Sequence, residues 1–502
     1  MLDQIKKITR STAIYSIGQI APKIVGLVLL PFFTNEKYLS AADYGKLSML
    51  EAASALFIAV FGFGFNYALE RWYYDKAYQD KRKSVFFTLI AATIVLTLFF
   101  WSILSLFIDP ISVLLTGTGE WSFIIYLLLL CSALESLFLL PSTLLRLQEK
   151  PVLFVTSNVA KFFLYLAITL VFLLFFNKGL ESVYIARAIS LVIVLGSLSF
   201  YIFRNISVRI EWAALREMLI FRLPLVLSTI SYIVFGITDR FSIRFLSDST
   251  FKDVGIYNLG YSVVSSVKVV ILASVWLSLR PVIYKMMDDP GAKRFYSKIM
   301  KYMSFIVVFM LLAISAFGQE AIRILAQSEI YYKAFYIIPI VSVSLIFDTL
   351  KEISQSISLN IVKKTGIIAV TMVIATVINI LLNVLLIPEL GIYGAALSSV
   401  ISQIFFFSVI YLFSQKYYRV PYEIKRILIM VVLFIILGGL ALLTSGLGLL
   451  IRVPLKLIIL ASFPVILYYV NFFEEIEIIR LKSLIKKLRN PADLIKTISM
   501  ED

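Results

Sequence analysis

Apolar residues run through this chain in long uninterrupted blocks. Each block approaches the roughly 20 residues that a helix needs to cross about 30 Å of hydrocarbon. Fourteen blocks are predicted as membrane-spanning helices, at 12–34, 46–70, 85–108, 121–145, 152–176, 181–203, 218–246, 254–280, 300–323, 335–360, 362–387, 391–415, 425–446 and 452–473. Span 7 is expected to kink or break at Pro224. The loops between the blocks are at most about 20 residues long, which leaves little chain for a domain outside the bilayer. After span 14, Ile478, Leu481, Leu484, Ile485 and Leu488 recur at helical spacing against Arg480, Lys482, Lys486, Lys487 and Arg489. That pattern reads either as a basic amphipathic helix on the membrane surface or as a solvated charged tail.

Composition agrees with the pattern: 60% of the 502 residues are hydrophobic and the mean hydropathy is +0.93. The net charge of +16 would suggest a nucleic-acid partner in a soluble protein, but here the basic residues alternate with the spans. They gather at Lys6–Arg10, Arg71–Lys83, Arg146–Lys150, Arg204–Arg222, Arg280–Lys301, Lys363–Lys364, Lys416–Arg426 and Arg480–Lys496, whereas Asp109–Glu120 and Pro388–Gly391 hold none. About two thirds of all Lys and Arg thus fall on one side, which the positive-inside rule makes cytoplasmic, with both termini there. Histidine is absent and Cys131 is the single cysteine. This removes His-based catalysis, a disulfide framework and the common zinc and iron–sulfur ligand sets, and neither a metal nor a cofactor is expected.

Two short matches suggest an internal repeat. Asp43-Tyr44-Gly45 recurs as Asp253-Val254-Gly255 at an offset of 210, and Gly179 with Ile189-Ser190 recurs as Gly391 with Ile401-Ser402 at 212. An offset of six spans gives both copies one orientation, the parallel-repeat design with substrate bound between the halves. The expected organisation is an N-terminal six-helix bundle (1–210), a second one (211–417), helices 13 and 14 (418–473) and a basic tail (474–502).

Several charges fall inside the spans, where ionised groups are costly and mark functional paths or fixed pairs. Lys23 lies near the centre of span 1 with Gln19 one turn before it, and Lys161 near the centre of span 5 with Ser157 and Asn158 on its face. Span 8 carries a stripe of Asn258, Tyr261, Ser265 and Lys268, and span 7 carries Tyr232, Asp239, Arg240 and Arg244. Arg187 sits in span 6, Glu135 in span 4, and Asp348, Lys351 and Glu352 in span 10. Cations outnumber anions over the first eight spans, and such an interior suits phosphate or pyrophosphate. Plainer readings stand beside this one: Glu135 reads equally as a fixed partner of Lys161, Asp348 of Lys351, and Asp239 of Arg240 or Arg244. Asn379 and Asn383, one turn apart, read as interhelical hydrogen bonds.

The stretch Asn379–Ser402 (NILLNVLLIPELGIYGAALSSVIS) resembles the hairpin of spans 11 and 12 in O-antigen-type (Wzx) polysaccharide flippases of the multidrug/oligosaccharidyl-lipid/polysaccharide (MOP) exporter superfamily. RLPLVLSTISYIVFGITDRFSI (Arg222–Ile243), DVGIYNLGY (Asp253–Tyr261) and LLRLQEKP (Leu144–Pro151) are similar to the same family. The resemblance implies an all-α integral membrane protein with two pseudo-symmetric six-helix bundles around a central cavity, plus two C-terminal helices. It implies a transporter, not an enzyme. The implied cargo is an undecaprenyl-pyrophosphate-linked oligosaccharide, flipped by alternating access from the inner to the outer leaflet of the bacterial cytoplasmic membrane for lipopolysaccharide O-antigen or a similar polymer. Membrane lipids and the polymerase and chain-length proteins of such a pathway are the implied partners. The pyrophosphate is expected at Lys23, Lys161 and Lys268, with Arg187, Arg240 and Arg244 farther outward. Sugars are expected at Gln19, Asn158, Tyr232, Asn258 and Tyr261, and a coupling proton or cation at Asp239 or Glu135. The rivals are a cation-coupled multidrug antiporter of the same superfamily, which wants an anionic cavity, and an integral-membrane polysaccharide enzyme, which wants a catalytic loop.

Overall fold

The computed structural model describes residues 21–474 apart from 249, 269–278, 280, 281, 284, 285 and 288. All regular elements among them are helical, as a lipid environment requires when backbone groups must be satisfied within each segment. The N-terminal half holds α1 (Ala21–Phe33), α2 (Ala41–Gly62), α3 (Phe65–Trp72), α4 (Arg82–Ser105), α5 (Ile108–Thr116), α6 (Ser122–Leu147), α7 (Pro151–Leu174) and α8 (Glu181–Arg204). The remainder holds α9 (Trp212–Leu246), α10 (Thr250–Val267), α11 (Ala292–Ala316), α12 (Gly318–Leu325), α13 (Ala334–Ser354), α14 (Thr365–Leu390), α15 (Ile392–Tyr417), α16 (Ile424–Leu443) and α17 (Leu449–Tyr469).

Twelve helices among the described residues are long and apolar enough to cross a membrane, where the sequence predicts fourteen. The two others are the first and eighth spans. Residues 12–20 of the first, with Gln19, lie outside the described residues, as do 269–278 of the eighth. The described part of the eighth, α10, is also made polar by Asn258, Ser262, Ser265 and Ser266. The tail from 475 onward, expected as an amphipathic helix, lies outside the described residues too.

Two helix boundaries differ from expectation. Span 2 ends at Gly62, where the chain turns through left-handed Phe63 (φ 47°) and Gly64 (φ 62°) into the short α3. A Cβ on Gly64 would overlap the Arg222 guanidinium, so glycine serves both the turn and the close approach there. Span 7 is unbroken: α9 runs for 35 residues through position 224. Elsewhere the ends follow local chemistry. Ser40 caps α2, accepting from the Asp43 amide at 3.1 Å, and Pro151 opens α7, where a missing N–H costs nothing.

Packing neighbours recur six spans apart. In the first half α2 packs on α6, α4 on α6, α6 on α8 and α7 on α8; in the second α10 packs on α13, α11 on α13, α13 on α15 and α14 on α15. α16 packs on α11 and α13, and α17 on α16 and α11.

The halves meet through α2 and α10, and the contact is reciprocal. A Cβ on Gly45 would overlap the Phe251 carbonyl, and one on Gly255 would lie 2.9 Å from the Ala41 carbonyl oxygen. Gly45 pairs with Gly255, and Ala41 with Phe251, at the repeat offset of 210, so each helix offers the other the same surface, as a two-fold relation demands. Small residues let helix backbones touch where lipid supplies no hydrophobic drive. Around this contact, at the end poor in basic residues, the Thr34 hydroxyl donates to the Leu325 carbonyl at 3.2 Å and accepts from the Gln327 amide at 3.2 Å. Tyr44 and Tyr331 also meet edge to face at 5.7 Å.

Candidate functional site

Between the halves lies a polar chamber built by α1, α2, α7, α8 and α10. A cavity of 360 Å³ is lined by Lys23, Tyr44, Ser48, Glu51, Tyr165, Arg187, Asn258, Ser262 and Ser266, among others. A second cavity of 240 Å³ shares Glu51, Tyr165 and Arg187 and extends to Glu135, Lys161 and Ser190. Helical spacing explains the convergence: Tyr44, Ser48 and Glu51 lie on one face of α2, while Asn258, Ser262 and Ser266 lie on one face of α10.

The cations predicted from the sequence divide into two groups. Three are in ion pairs. Arg187 bonds Glu51 at 2.6 Å, and Lys161 bonds Glu135 at 2.6 Å with its ammonium 4.3 Å from the Phe138 ring centroid. Lys268 pairs with Asp348, and with Glu352 at 3.3 Å, while Lys351 holds the other oxygen of Asp348. The other group has no carboxylate in ion-pair reach among the described residues. Lys23 is half-buried and lines the larger cavity. Arg240 donates to the Asn258 Oδ1 at 3.1 Å and lies 5.0 Å from the Tyr261 ring centroid. Arg244 lies 4.2 Å from the Phe251 ring centroid, at the end poor in basic residues, which the contact of α2 with α10 closes. Lys23 in the chamber wall and Arg240, bonded to Asn258 of that wall, thus stand without a carboxylate in ion-pair reach among the described residues.

The predicted polar contacts also divide. Asn258 lines the cavity and donates to the Tyr44 hydroxyl at 3.4 Å. Asn158 instead donates to the Phe154 carbonyl at 2.9 Å within its own helix and lines neither cavity. Tyr232 is exposed and stands 6.0 Å from the Lys351 ammonium.

Asp239 pairs with neither Arg240 nor Arg244. Its Oδ1 accepts from the Asn379 and Asn383 side-chain amides, each at 3.2 Å, and its Oδ2 accepts from the Tyr257 hydroxyl at 2.6 Å and from the Ser399 hydroxyl. Asp239 is buried, so neutral donors from α10, α14 and α15 replace water around a carboxylate with no cation in ion-pair reach among the described residues. The Asn383 Oδ1 in the same cluster has no donor among the described residues.

Sequence reasoning missed Glu51, Tyr165, Tyr257 and Ser399. Glu51 left a signal, as a lone carboxylate inside an otherwise apolar span. The others are unremarkable residue types whose roles come from packing. No group of three or more metal-ligating side chains occurs among the described residues.

A family model described as "Polysaccharide biosynthesis protein" matches residues 8–287, more than half of the chain. No curated protein sequence matches. Among solved structures, the Lipid II flippase MurJ in an inward closed conformation is similar at a TM-score of 0.68 and 16% identity, over 91% of this chain and 98% of that one. An inward-facing multidrug resistance MATE transporter of the MOP superfamily matches at 0.64 and 14%, over 82% and 95%. The MATE transporter VcmN of Vibrio cholerae, as its D35N mutant, matches at 0.54 and 16%, over 82% and 96%. At these identities the likeness is one of fold.

Proposed function

The chain belongs to the polysaccharide biosynthesis protein family, with the MOP-superfamily transporter fold, and from that premise we propose that it flips a pyrophosphate-linked oligosaccharide on a polyprenyl carrier across the bacterial cytoplasmic membrane. The observation that carries the reading is that Lys23, in the wall of a polar chamber between the halves, and Arg240, bonded to Asn258 of that wall, have no carboxylate in ion-pair reach among the described residues. A sugar headgroup cannot enter hydrocarbon without losing hydrogen bonds that water supplied. The chamber replaces them with Tyr44, Asn258, Ser262 and Ser266, while the polyprenyl tail stays in lipid. Lys23 offers the pyrophosphate a point charge, and Arg240 a planar fork. Arg244, deeper toward the closed end, takes it next. A cationic drug would meet repulsion at the same place, which disfavours the multidrug antiporter reading.

In this reading Arg187, Lys161 and Lys268 act through their carboxylate partners, exchanging Glu51, Glu135 and Asp348 for cargo phosphate as the chamber reshapes. The basic end faces the cytoplasm by the positive-inside rule, and the halves, 1–210 and 211–417, alternate between closing one end and the other. Asp239 is the coupling candidate for a proton or cation: four neutral donors favour its charged form, and the Asn383 Oδ1 beside it has no donor among the described residues, an arrangement that suits a small cation better than a proton. Glu135, neutralised by Lys161, is the weaker candidate.

The test is the sidedness of lipid-linked oligosaccharide in spheroplasts of cells lacking the gene, read with an outer-surface sugar probe. Internal accumulation relieved by restoring the gene is the expected result. Normal outward exposure in the deletion, with no second flippase present, would remove the reading.

A further inference from the structure

A third cavity, of 430 Å³, lies away from the chamber at the basic end. Three helices build it. Lys83 comes from the start of α4, Lys150 from the residue before α7, and Tyr201, Arg204 and Asn205 from the end of α8. No carboxylate lines it, and none of its three cations is in an ion pair among the described residues. The nearby cations Lys81 and Arg209 are spent on Glu211, at 3.4 and 3.3 Å.

The floor is fixed rather than adaptable. The Tyr201 hydroxyl donates to Gln148 Oε1 at 3.0 Å, the Gln148 amide donates to Asn205 Oδ1 at 2.8 Å, and the Asn205 amide donates to the Tyr201 carbonyl at 2.8 Å. The Lys150 ammonium stands 4.8 Å from the Tyr201 ring centroid. Beside the cations the surface turns apolar: Val152, Phe200 and Phe203 are 68%, 75% and 71% exposed. A cationic pocket at the end of two spans, continuous with apolar side chains that face outward along those spans, matches one kind of molecule. It has an anionic phosphate at the head and hydrocarbon behind it.

We propose that Lys83, Lys150 and Arg204 form a binding site for the phosphodiester headgroup of an anionic membrane phospholipid in the leaflet at the basic end. Arg204 and Lys150 close on the phosphate from α8 and α7, Lys83 adds a third charge from α4, and the acyl chains lie against Val152 and Phe200. The site makes no use of the chamber residues, so it stands or falls independently of the flippase reading.

The experiment is native mass spectrometry of the purified full chain, in detergent doped with phosphatidylglycerol or with phosphatidylethanolamine. The expected result is retention of phosphatidylglycerol over phosphatidylethanolamine. The Lys150→Gln, Arg204→Gln double variant should weaken that retention about 30-fold, while Lys37→Gln with Lys178→Gln at the opposite end should leave it unchanged. Gel filtration reports whether the double variant folds. If it does not, Lys83→Gln alone, on an exposed side chain, should lower retention about fivefold. Equal retention of the two lipids, or unchanged retention in the folded variants, would overturn the proposal. Displacement of phosphatidylglycerol by excess inorganic phosphate would also overturn it, in favour of a free-phosphate site.

Discussion

Each intramembrane charge reads differently once its partner is known. Removing Lys161 alone, as Lys161→Met, leaves Glu135 without its cation in a mostly apolar setting. It should destabilise the protein by about 3 kcal/mol, at the low end for a broken buried pair because Glu135 keeps 24% exposure. Adding Glu135→Leu should recover most of that loss in a thermal-unfolding series. Lys23→Gln breaks no pair, so it should leave unfolding temperature unchanged while cutting transport at least tenfold in the sidedness assay. Replacing Asp239 with Asn puts an amide N–H₂ among donors that already crowd the site, so Asp239→Asn should impair coupling and lower stability together. This residue-level picture was half legible in the sequence. The charges and their depth could be read there, since a lysine in an apolar run announces itself. Two partnerships could be read as well, Glu135 with Lys161 and Asp348 with Lys351; the others could not, because Arg187 finds Glu51 and Asp239 finds Asn379 only through helix neighbours that periodicity does not specify. Asn379 and Asn383 were readable as interhelical donors; the carboxylate that receives them was not.

At the scale of elements, the crossing of α2 and α10 is the tightest feature of the closed end. Gly255→Ala places a methyl 2.9 Å from the Ala41 carbonyl oxygen and 3.2 Å from the Gly45 amide nitrogen. The helices must separate slightly, and accessibility labelling at the closed end should rise. Gly45→Ala collides with backbone and should have the larger effect. A second element contact ties α17 to α12. Glu320 accepts from Lys456 at 2.8 and 3.0 Å and lies 2.6 Å from Arg452, both cations almost fully buried. Burial works against the Glu320 carboxylate, but the Lys456 hydrogen bonds and the Lys456 and Arg452 charges outweigh it and hold its pKa below the usual glutamate value. A lowered folded-state pKa means stabilisation that is present above the unfolded value near 4.5 and lost as pH falls through the folded one. Thermal unfolding should therefore drop as pH falls below about 4.5 in the native chain, and that part of the drop should vanish in Glu320→Gln. Span existence was read from hydropathy with little loss, but the turn at Phe63–Gly64 was not, because an apolar run looks the same whether or not a left-handed pair interrupts it.

For the whole molecule, the reciprocal contact and the recurring neighbours make the closed end a single seam between the halves. Thr34 and Gln327 face each other across it, and Cys131, the only cysteine, is buried. In a Cys131→Ser background, Thr34→Cys with Gln327→Cys should form a disulfide on oxidation and stop transport, with reduction restoring it. Free transport by the cross-linked protein would rule out opening at that end. The first helix of the second half, α9, also packs against the first half. At about 1.5 Å per residue, α9 is roughly 50 Å long, well beyond the hydrocarbon thickness. Its basic end is fastened to the first half through Trp72 against Phe221 and the Arg222 bond to the Phe63 carbonyl at 3.3 Å, while its other end is fastened to the second half through Asp239. It is a connecting rod with one end bolted by aromatic packing and the other held by a web of hydrogen bonds centred on Asp239 and joined by Arg240 to Asn258 and Ser242 to Asn383; under the proposed coupling role, a charge change at Asp239 would loosen that web while the bolt still transmits the stroke.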